Sequence, residues 1–243
     1  MNEEHEVSLE TSKEVKKSLL NLGIPFETLL VNPFTFKKDI KKFTNNNICF
    51  NALHGTFGED GRIQKILDEL SFKYTHASSQ SSKIGFDKEL TKKKILDISL
   101  PTPKYITINY KEISKNFLLK TLINLGPFLI KPVSSGSSFG IEIFKNEIDI
   151  YSYTKNINSN LKKYEKHQQI LIEKLIQGRE LTVAVIEKNG KIYPVEVTEI
   201  ISKNKFFDYK SKYTPGYSKH ILPAQIPNDI YNKCKIFAKK AHE

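Results

Sequence analysis

An α/β fold is the class this sequence predicts, on three observations. Near the N-terminus a helix pattern, a strand, a second helix and a second strand follow one another, the order of an α/β layer with parallel strands. Further on, the short apolar run Phe128-Leu129-Ile130 leads through a small-residue loop to a second strand at 140–144. In the last third, Asn189-Gly190 between two alternating runs is a strong hairpin signal, so this part begins as an antiparallel sheet.

Residues 8–22 carry Val15, Leu19 and Leu22 among lysines, with Gly23 placed to end a helix and Pro25 two beyond. A strand is predicted at 26–31, a basic surface helix at 34–43 and a strand at 48–53. No strand precedes the first helix, which is unusual for such a layer. The stretch His54-Gly-Thr-Phe-Gly-Glu-Asp-Gly61 then puts three glycines into eight residues just past a strand, where open α/β sheets bind ligands. A capped turn is the bland alternative, and a lone His54 more often serves structure than catalysis. Asp60 is expected to cap a helix carrying Ile63, Ile66, Leu67 and Leu70.

A short strand at 72–76 precedes Ser78-Ser79-Gln80-Ser81-Ser82, read as a hinge. Asp87 caps a helix through Ile98, with Leu90, Ile95 and Ile98 on one face. Lys88 sits in its first turn, where the macrodipole disfavours a cation, so it is either solvated or serving an anion. A strand at 105–108 and a helix at 110–125 lead to the 128–130 strand. Lys131 stands at that strand's end, and Pro132 stops the run. Ser134, Ser135, Gly136, Ser137 and Ser138 form a loop whose glycine and hydroxyls suit close approach to an anion, while Lys131 supplies a point charge for a phosphate. A flexible hairpin with an incidental lysine is the alternative.

Residues 146–166, rich in Asn, read as a loose connection. Strands follow at 169–175, 181–186 and 192–200, then a long loop at 206–223 and a closing helix at 229–240.

The 243 residues allow one large domain or two to three small ones, and 39% hydrophobic content is enough for a core. The net charge of +11 invites a nucleic-acid reading, but of 38 basic side chains only Arg62 and Arg179 are arginine, and the lysines are spread along the chain. Nucleic acid is therefore not expected as a partner. No apolar run approaches 18 residues and the N-terminus is polar and acidic, so no membrane association and a cytoplasmic location are expected. Cys49 and Cys234 match no metal or redox spacing.

Several signatures, taken together and in order, resemble the D-alanine–D-alanine ligase family of ATP-grasp enzymes. They are Glu4-His-Glu-Val-Ser-Leu9, His54 to Gly61, Asp87-Lys88, Lys131 to Gly140, Ile172-Glu173-Lys174 with Gly178-Arg-Glu180, and Phe207-Asp-Tyr-Lys-Ser-Lys-Tyr213. The resemblance implies a Rossmann-like, pre-ATP-grasp layer followed by a truncated ATP-grasp fold. It divides the chain into a substrate-binding α/β domain at 1–80, a central ATP-grasp subdomain at 81–168 and an incomplete C-terminal subdomain at 169–243.

The implied reaction phosphorylates the carboxylate of one D-alanine with ATP. The amine of a second D-alanine then attacks the acyl phosphate, a step in peptidoglycan precursor synthesis. By resemblance, Lys88 and Lys131 hold ATP phosphates, Ser134, Ser135, Gly136 and Ser138 belong to a mobile phosphate flap, and Lys212 reaches the phosphates. Glu173, Lys174 and Leu175 border the adenine, and Glu180 meets the ribose. Glu4 takes the ammonium of the first D-alanine, helped by His54, while Ser137, Ser138 and Tyr213 orient substrate. The resemblance also admits a homodimer.

Departures from the family pattern shape the expectation. Only Met1–Glu3 stand where the family has a first strand, and Lys65 replaces a small residue. The strands carrying the family's Mg²⁺ ligands and a transition-state arginine would lie beyond Glu243, so no metal ligand is assigned among these residues. The 243 residues alone are therefore expected to be inactive or nearly so. Two alternatives stand beside this reading: a nucleotide-binding remnant without catalysis, and another carboxylate–amine ligase of the D-alanine–D-lactate type.

Overall fold

The computed structural model describes residues 4–203, 211–212 and 214–243. They fall into two compact units, one of residues 1–91 with 134–136, the other of residues 92–133 with 137–243. The division lies inside one helix and takes three residues of the serine-rich loop into the first unit. It differs from the three-part division read from the sequence.

In the first unit, α1 (His5–Asn21) ends as the sequence predicts. Gly23 has φ +66°, its N–H reaches Leu20 O, and Ile24 N–H reaches Leu19 O, the paired closure that a left-handed residue allows. The expected strand at 26–31 does not form: these residues join no ladder among the described residues. The ladder here is β1 (Ile48–Cys49) beside β2 (Lys73–Tyr74), parallel as expected but two residues long. The predicted strand at 48–53 is cut short because the Asn51 side chain takes over the backbone. Its Nδ2 donates to Gly58 O at 2.8 Å, and its Oδ1 accepts from Leu53 N–H at 3.1 Å.

The basic helix expected at 34–43 is α2 (Phe36–Asp39) followed by a 3₁₀ turn at Ile40–Lys42, and its Phe36 and Ile40 are buried. They meet Ile63 and Leu67 of α3 (Arg62–Glu69), Phe57 from the loop before that helix, and Phe72. Gly61 caps α3 in place of Asp60, which instead accepts from the N–H groups of Phe57 and Arg62. Residues 78–82, read from the sequence as a hinge, have helical structure. They open α4 (Ser79–Phe86), with Ser78 Oγ accepting from Ser81 N–H at 3.2 Å. Asp87 caps α5 (Lys88–Asp97) as expected, its Oδ1 taking Leu90 N–H at 2.9 Å.

The second unit is built on a four-stranded antiparallel sheet in the order β3 (Tyr105–Asn109), β6 (Gln169–Lys174), β4 (Phe128–Pro132), β5 (Glu142–Phe144). Phe128 pairs with Phe144 on one side and Lys174 on the other, and Ile130 pairs with Glu142 and Ile172. This sheet spans the boundary at 168/169, since β6 stands between β3 and β4. Pro132 is the last residue of β4, which ends there as the sequence predicts.

The helix expected at 110–125 is α6 (Lys115–Leu125), which starts later because Ser114 caps it after a 3₁₀ turn. The supposed loose connection at 146–166 holds two helices, α7 (Glu147–Thr154) and α8 (Ile157–Lys162). Asn146 and Asp149 form a capping box there, and Ile150 and Tyr153 join Leu118, Phe128, Ile130, Phe144, Tyr164, Ile170 and Ile172 in one core.

A second antiparallel sheet follows, β7 (Glu180–Lys188), β8 (Lys191–Ser202) and β9 (Ser218–Ile221). Asn189 (φ 53°) and Gly190 (φ 70°) make the two-residue turn, both left-handed as that hairpin requires. Strand β9 falls within the stretch read as a long loop. The closing helix is α9 (Asn228–His242), whose Tyr231 hydroxyl accepts from Val197 N–H of β8.

Candidate functional site

Each unit gathers part of the expected site. In the first, α1 delivers Glu4 at its N-terminus, only 5% exposed, and Ser8 one turn later. Ser8 Oγ donates to Glu4 O at 3.1 Å and accepts from His54 N–H at 2.9 Å, which ties the start of the helix to the glycine-rich loop. The His54 ring is held on both sides: Nε2 lies 2.8 Å from Thr11 Oγ1, and Nδ1 lies 3.6 Å from Glu59 Oε1. Glu59 Oε2 accepts from Gly55 N–H at 2.9 Å. Burial raises the Glu59 carboxyl above its ordinary range against that hydrogen bond, and the negative charge of Glu4 adds to the rise. Two carboxylates close enough to act on one another, one of them beside an imidazole, suit a cationic group.

The serine-rich loop meets Glu4 directly. Gly136 lies so close to the Glu4 carboxylate that a Cβ there would overlap it. Lys88 Nζ donates to Ser135 O at 2.7 Å, and Ser134 makes an isolated antiparallel bridge with Asp87. Lys88 thus serves the loop backbone, an answer that the choice between solvent and anion did not include. Glu4, His54, Lys88, Ser134, Ser135 and Gly136 are brought together here.

In the second unit, Lys131 reaches Glu173 diagonally across the β4–β6 ladder, Nζ to Oε2 at 2.5 Å, Glu173 itself pairing with Leu129. Glu173 Oε1 is equally close, 2.5 Å, to Lys92 Nζ. Burial pulls the Glu173 carboxyl upward, but the hydrogen bonds and charges of Lys131 and Lys92 outweigh it and hold it below the usual range. Lys92 also donates to Thr102 Oγ1 at 2.6 Å and Pro103 O at 3.0 Å, and lies 4.8 Å from the Tyr105 ring centre.

Further along, Ser137 (φ 47°) and Ser138 (φ 61°) hold left-handed backbone, and Tyr164 OH donates to Gly140 O at 2.7 Å. Lys174 N–H is bonded to Lys104 O and Leu175 N–H to Pro127 O. Glu180 opens β7 opposite Ile200, beside Arg179, whose guanidinium grips Glu199 through Nε–Oε1 at 2.6 Å and Nη2–Oε2 at 2.5 Å. Lys212 is exposed, and Tyr213 lies outside the described residues.

Sequence reasoning did not single out Lys92. The available signal was its place one helical turn after Lys88. It also missed Glu199, the partner of Arg179. A cleft of about 970 Å³ elsewhere in the second unit, lined by Lys111, Lys115, Tyr151, Lys155 and Lys162 among others, contains none of the expected site residues. Among the described residues no helix is long and apolar enough to cross a membrane.

Comparison with known proteins gives this geometry its context. The family model for the D-ala D-ala ligase C-terminus matches residues 95–243. A D-alanine–D-alanine ligase of Rickettsia canadensis is 36% identical over 247 residues, covering all of this chain, which spans 64% of that protein. The corresponding ligase of Pelagibacter ubique is 35% identical, with 100% of this chain and 76% of that protein covered. Among solved structures, a D-alanine–D-alanine ligase of Bacillus anthracis matches with a TM-score of 0.74 at 27% identity, covering all of this chain and 75% of its own. A D-alanine–D-alanine ligase of Bacillus anthracis complexed with ATP gives the same TM-score at 24% identity, covering all of this chain and 74% of its own. With the ordered motifs from Glu4 to Glu180 and the ATP-grasp sheets both in place, the chain belongs to the D-alanine–D-alanine ligase family.

Proposed function

We propose that this chain binds ATP and D-alanine and takes part in joining two D-alanines for peptidoglycan precursor synthesis. The observation that carries this reading is the buried Glu4 carboxylate set against Gly136 of the serine-rich loop, with Glu59 and His54 behind it. An amino acid's ammonium matches the two carboxylates, which leaves its own carboxylate on the side of the loop. Lysine ammoniums, serine hydroxyls and loop N–H groups are donors suited to a polyphosphate. Lys88 and Lys131 are assigned to phosphates, Ser137 and Ser138 to the flap and substrate, Lys174, Leu175 and Glu180 to the adenosine, and Lys212 and Tyr213 to closure.

In the first step, a carboxylate oxygen of one D-alanine attacks the γ-phosphorus, the bond to ADP breaks, and D-alanyl phosphate forms. In the second, the amine of another D-alanine attacks the acyl carbon, phosphate leaves, and the amine loses its proton. The family's chemistry also calls for Mg²⁺. No group of three or more His, Cys, Asp or Glu side chains among the described residues could hold a metal, so no step is assigned to one.

Thermal unfolding tests the reading: ATP and D-alanine should each raise the midpoint, and a midpoint indifferent to both would overturn it. D-alanine-dependent ADP release in Mg²⁺ buffer measures how much of the ligation the chain performs by itself. Replacing D-alanine with D-lactate as second substrate separates dipeptide from depsipeptide formation. Gly136→Ala is expected to weaken D-alanine binding about tenfold, because the added methyl displaces the Glu4 carboxylate. Calorimetric titration checks this, with an unchanged urea midpoint showing that the fold is intact.

A further inference from the structure

Glu173 has two lysine partners at equal distance, but the two are not equivalent. The Lys92 side chain is 8% exposed and that of Lys131 is 19%. The three protons of the Lys92 ammonium match three acceptors, Glu173 Oε1, Thr102 Oγ1 and Pro103 O, beside the Tyr105 ring. Lys131 lies on β4 just before the serine-rich loop and reaches Glu173 Oε2 across the ladder. One carboxylate between two ammoniums leaves the cluster with a surplus positive charge, the charge an incoming phosphate would meet. A buried carboxylate resists losing its last counter-ion, because the stranded charge would be poorly solvated.

We propose that Lys92 is the fixed counter-ion of Glu173, a positioning residue that frees Lys131 to transfer from this carboxylate to a phosphate of the bound nucleotide. The proposal rests on the nucleotide reading above. Without nucleotide, Lys131 is parked on Glu173. With nucleotide, it moves to the phosphate while Lys92 keeps Glu173 compensated. Without Lys92, Lys131 becomes the sole partner of a buried anion and cannot leave cheaply.

The test measures dissociation constants for ATP and for adenosine, whose ratio isolates what the phosphates contribute. Lys92→Met is expected to shrink that ratio about tenfold, the worth of one charge-assisted hydrogen bond, while adenosine binding is largely kept. The double variant Lys92→Met with Glu173→Gln should restore the ratio, because a neutral side chain no longer holds Lys131. A merely structural role for Lys92 would weaken ATP and adenosine alike, with no rescue, and that outcome overturns the proposal. So does a Lys92→Met chain that keeps the wild-type ratio. A wild-type chain that does not distinguish ATP from adenosine overturns the nucleotide reading itself, and this inference with it. Urea midpoints confirm which variants are folded; if Lys92→Met alone is not, the double variant decides, and a ratio well below wild type there counts against the proposal.

Discussion

Glu173→Ala is expected to lower the unfolding free energy by about 3–5 kcal/mol, the range for breaking a buried ion pair from one side. The loss comes from what is left behind: Lys92 stays buried with its charge uncompensated, whereas Lys131 is the more exposed of the two lysines. Urea unfolding at neutral pH measures it. Replacing Lys92 and Glu173 together by Met and Leu should recover most of the loss, because two apolar side chains leave no charge to strand.

The pH dependence follows from the same contact. The folded carboxyl titrates below its unfolded value of about 4.3, so its stabilisation is fully present above that pH and is lost as pH falls through the folded value. The variant should therefore show a shallower acid limb between roughly pH 5 and 2. Some slope must remain. Glu199, held low by its hydrogen bonds from Arg179, keeps its share. So does Asp60, whose upward pull from burial is outweighed by bonds from Arg62 and Phe57. An unchanged acid limb would show that the folded chain does not hold the Glu173 carboxyl below its unfolded value.

Phe128→Ala should cost about 3–5 kcal/mol as well, for a purely apolar reason. Phe128 is fully buried in β4, hydrogen-bonded to strands on both sides, and its ring stacks on Phe144 at 5.0 Å between centroids. The site cannot collapse, because sheet pairing fixes the backbone and α6 and α7 bring Leu118 and Ile150 into the same core. Ile123→Ala on α6 is the matched control. That side chain is 81% exposed, so its truncation should change stability by less than about 0.5 kcal/mol. Similar losses at the two positions would contradict the burial described above.

The sequence announced those features that depend on a few neighbouring residues. Asn189-Gly190 specifies its turn because both positions must be left-handed, and Gly23 with Pro25 ends α1 for the same local reason. Residues 26–31 mark the limit. Their apolar pattern is compatible with a strand, but a ladder also needs a second chain segment at the right distance, and pattern carries no information about that. The asparagines after residue 145 misled in the opposite sense. Asn is a turn former when isolated, yet Asn146 is a helix cap once Asp149 completes the box.

For the site, motif order singled out Glu4, His54, Lys88, Lys131 and Glu173 along the chain. It could not show that Lys131 and Glu173 touch, because they are 42 residues apart and meet only through strand register. Lys92 was hidden for a different reason: lysine is so common here that a buried one looks like every other.

The closure at Gly140 has its own consequence for how this protein can vary. Gly140 has φ +67°, and a Cβ there would come within 3.1 Å of Pro132, so the stretch between them leaves the sheet and returns to it at nearly one point. With the Tyr164 hydroxyl fastening the return, the β4–β5 pairing does not depend on how many residues lie between. Loop-closure entropy grows only slowly with added length. The serine-rich segment is therefore a cassette: its length can change while the sheet beneath it keeps its register.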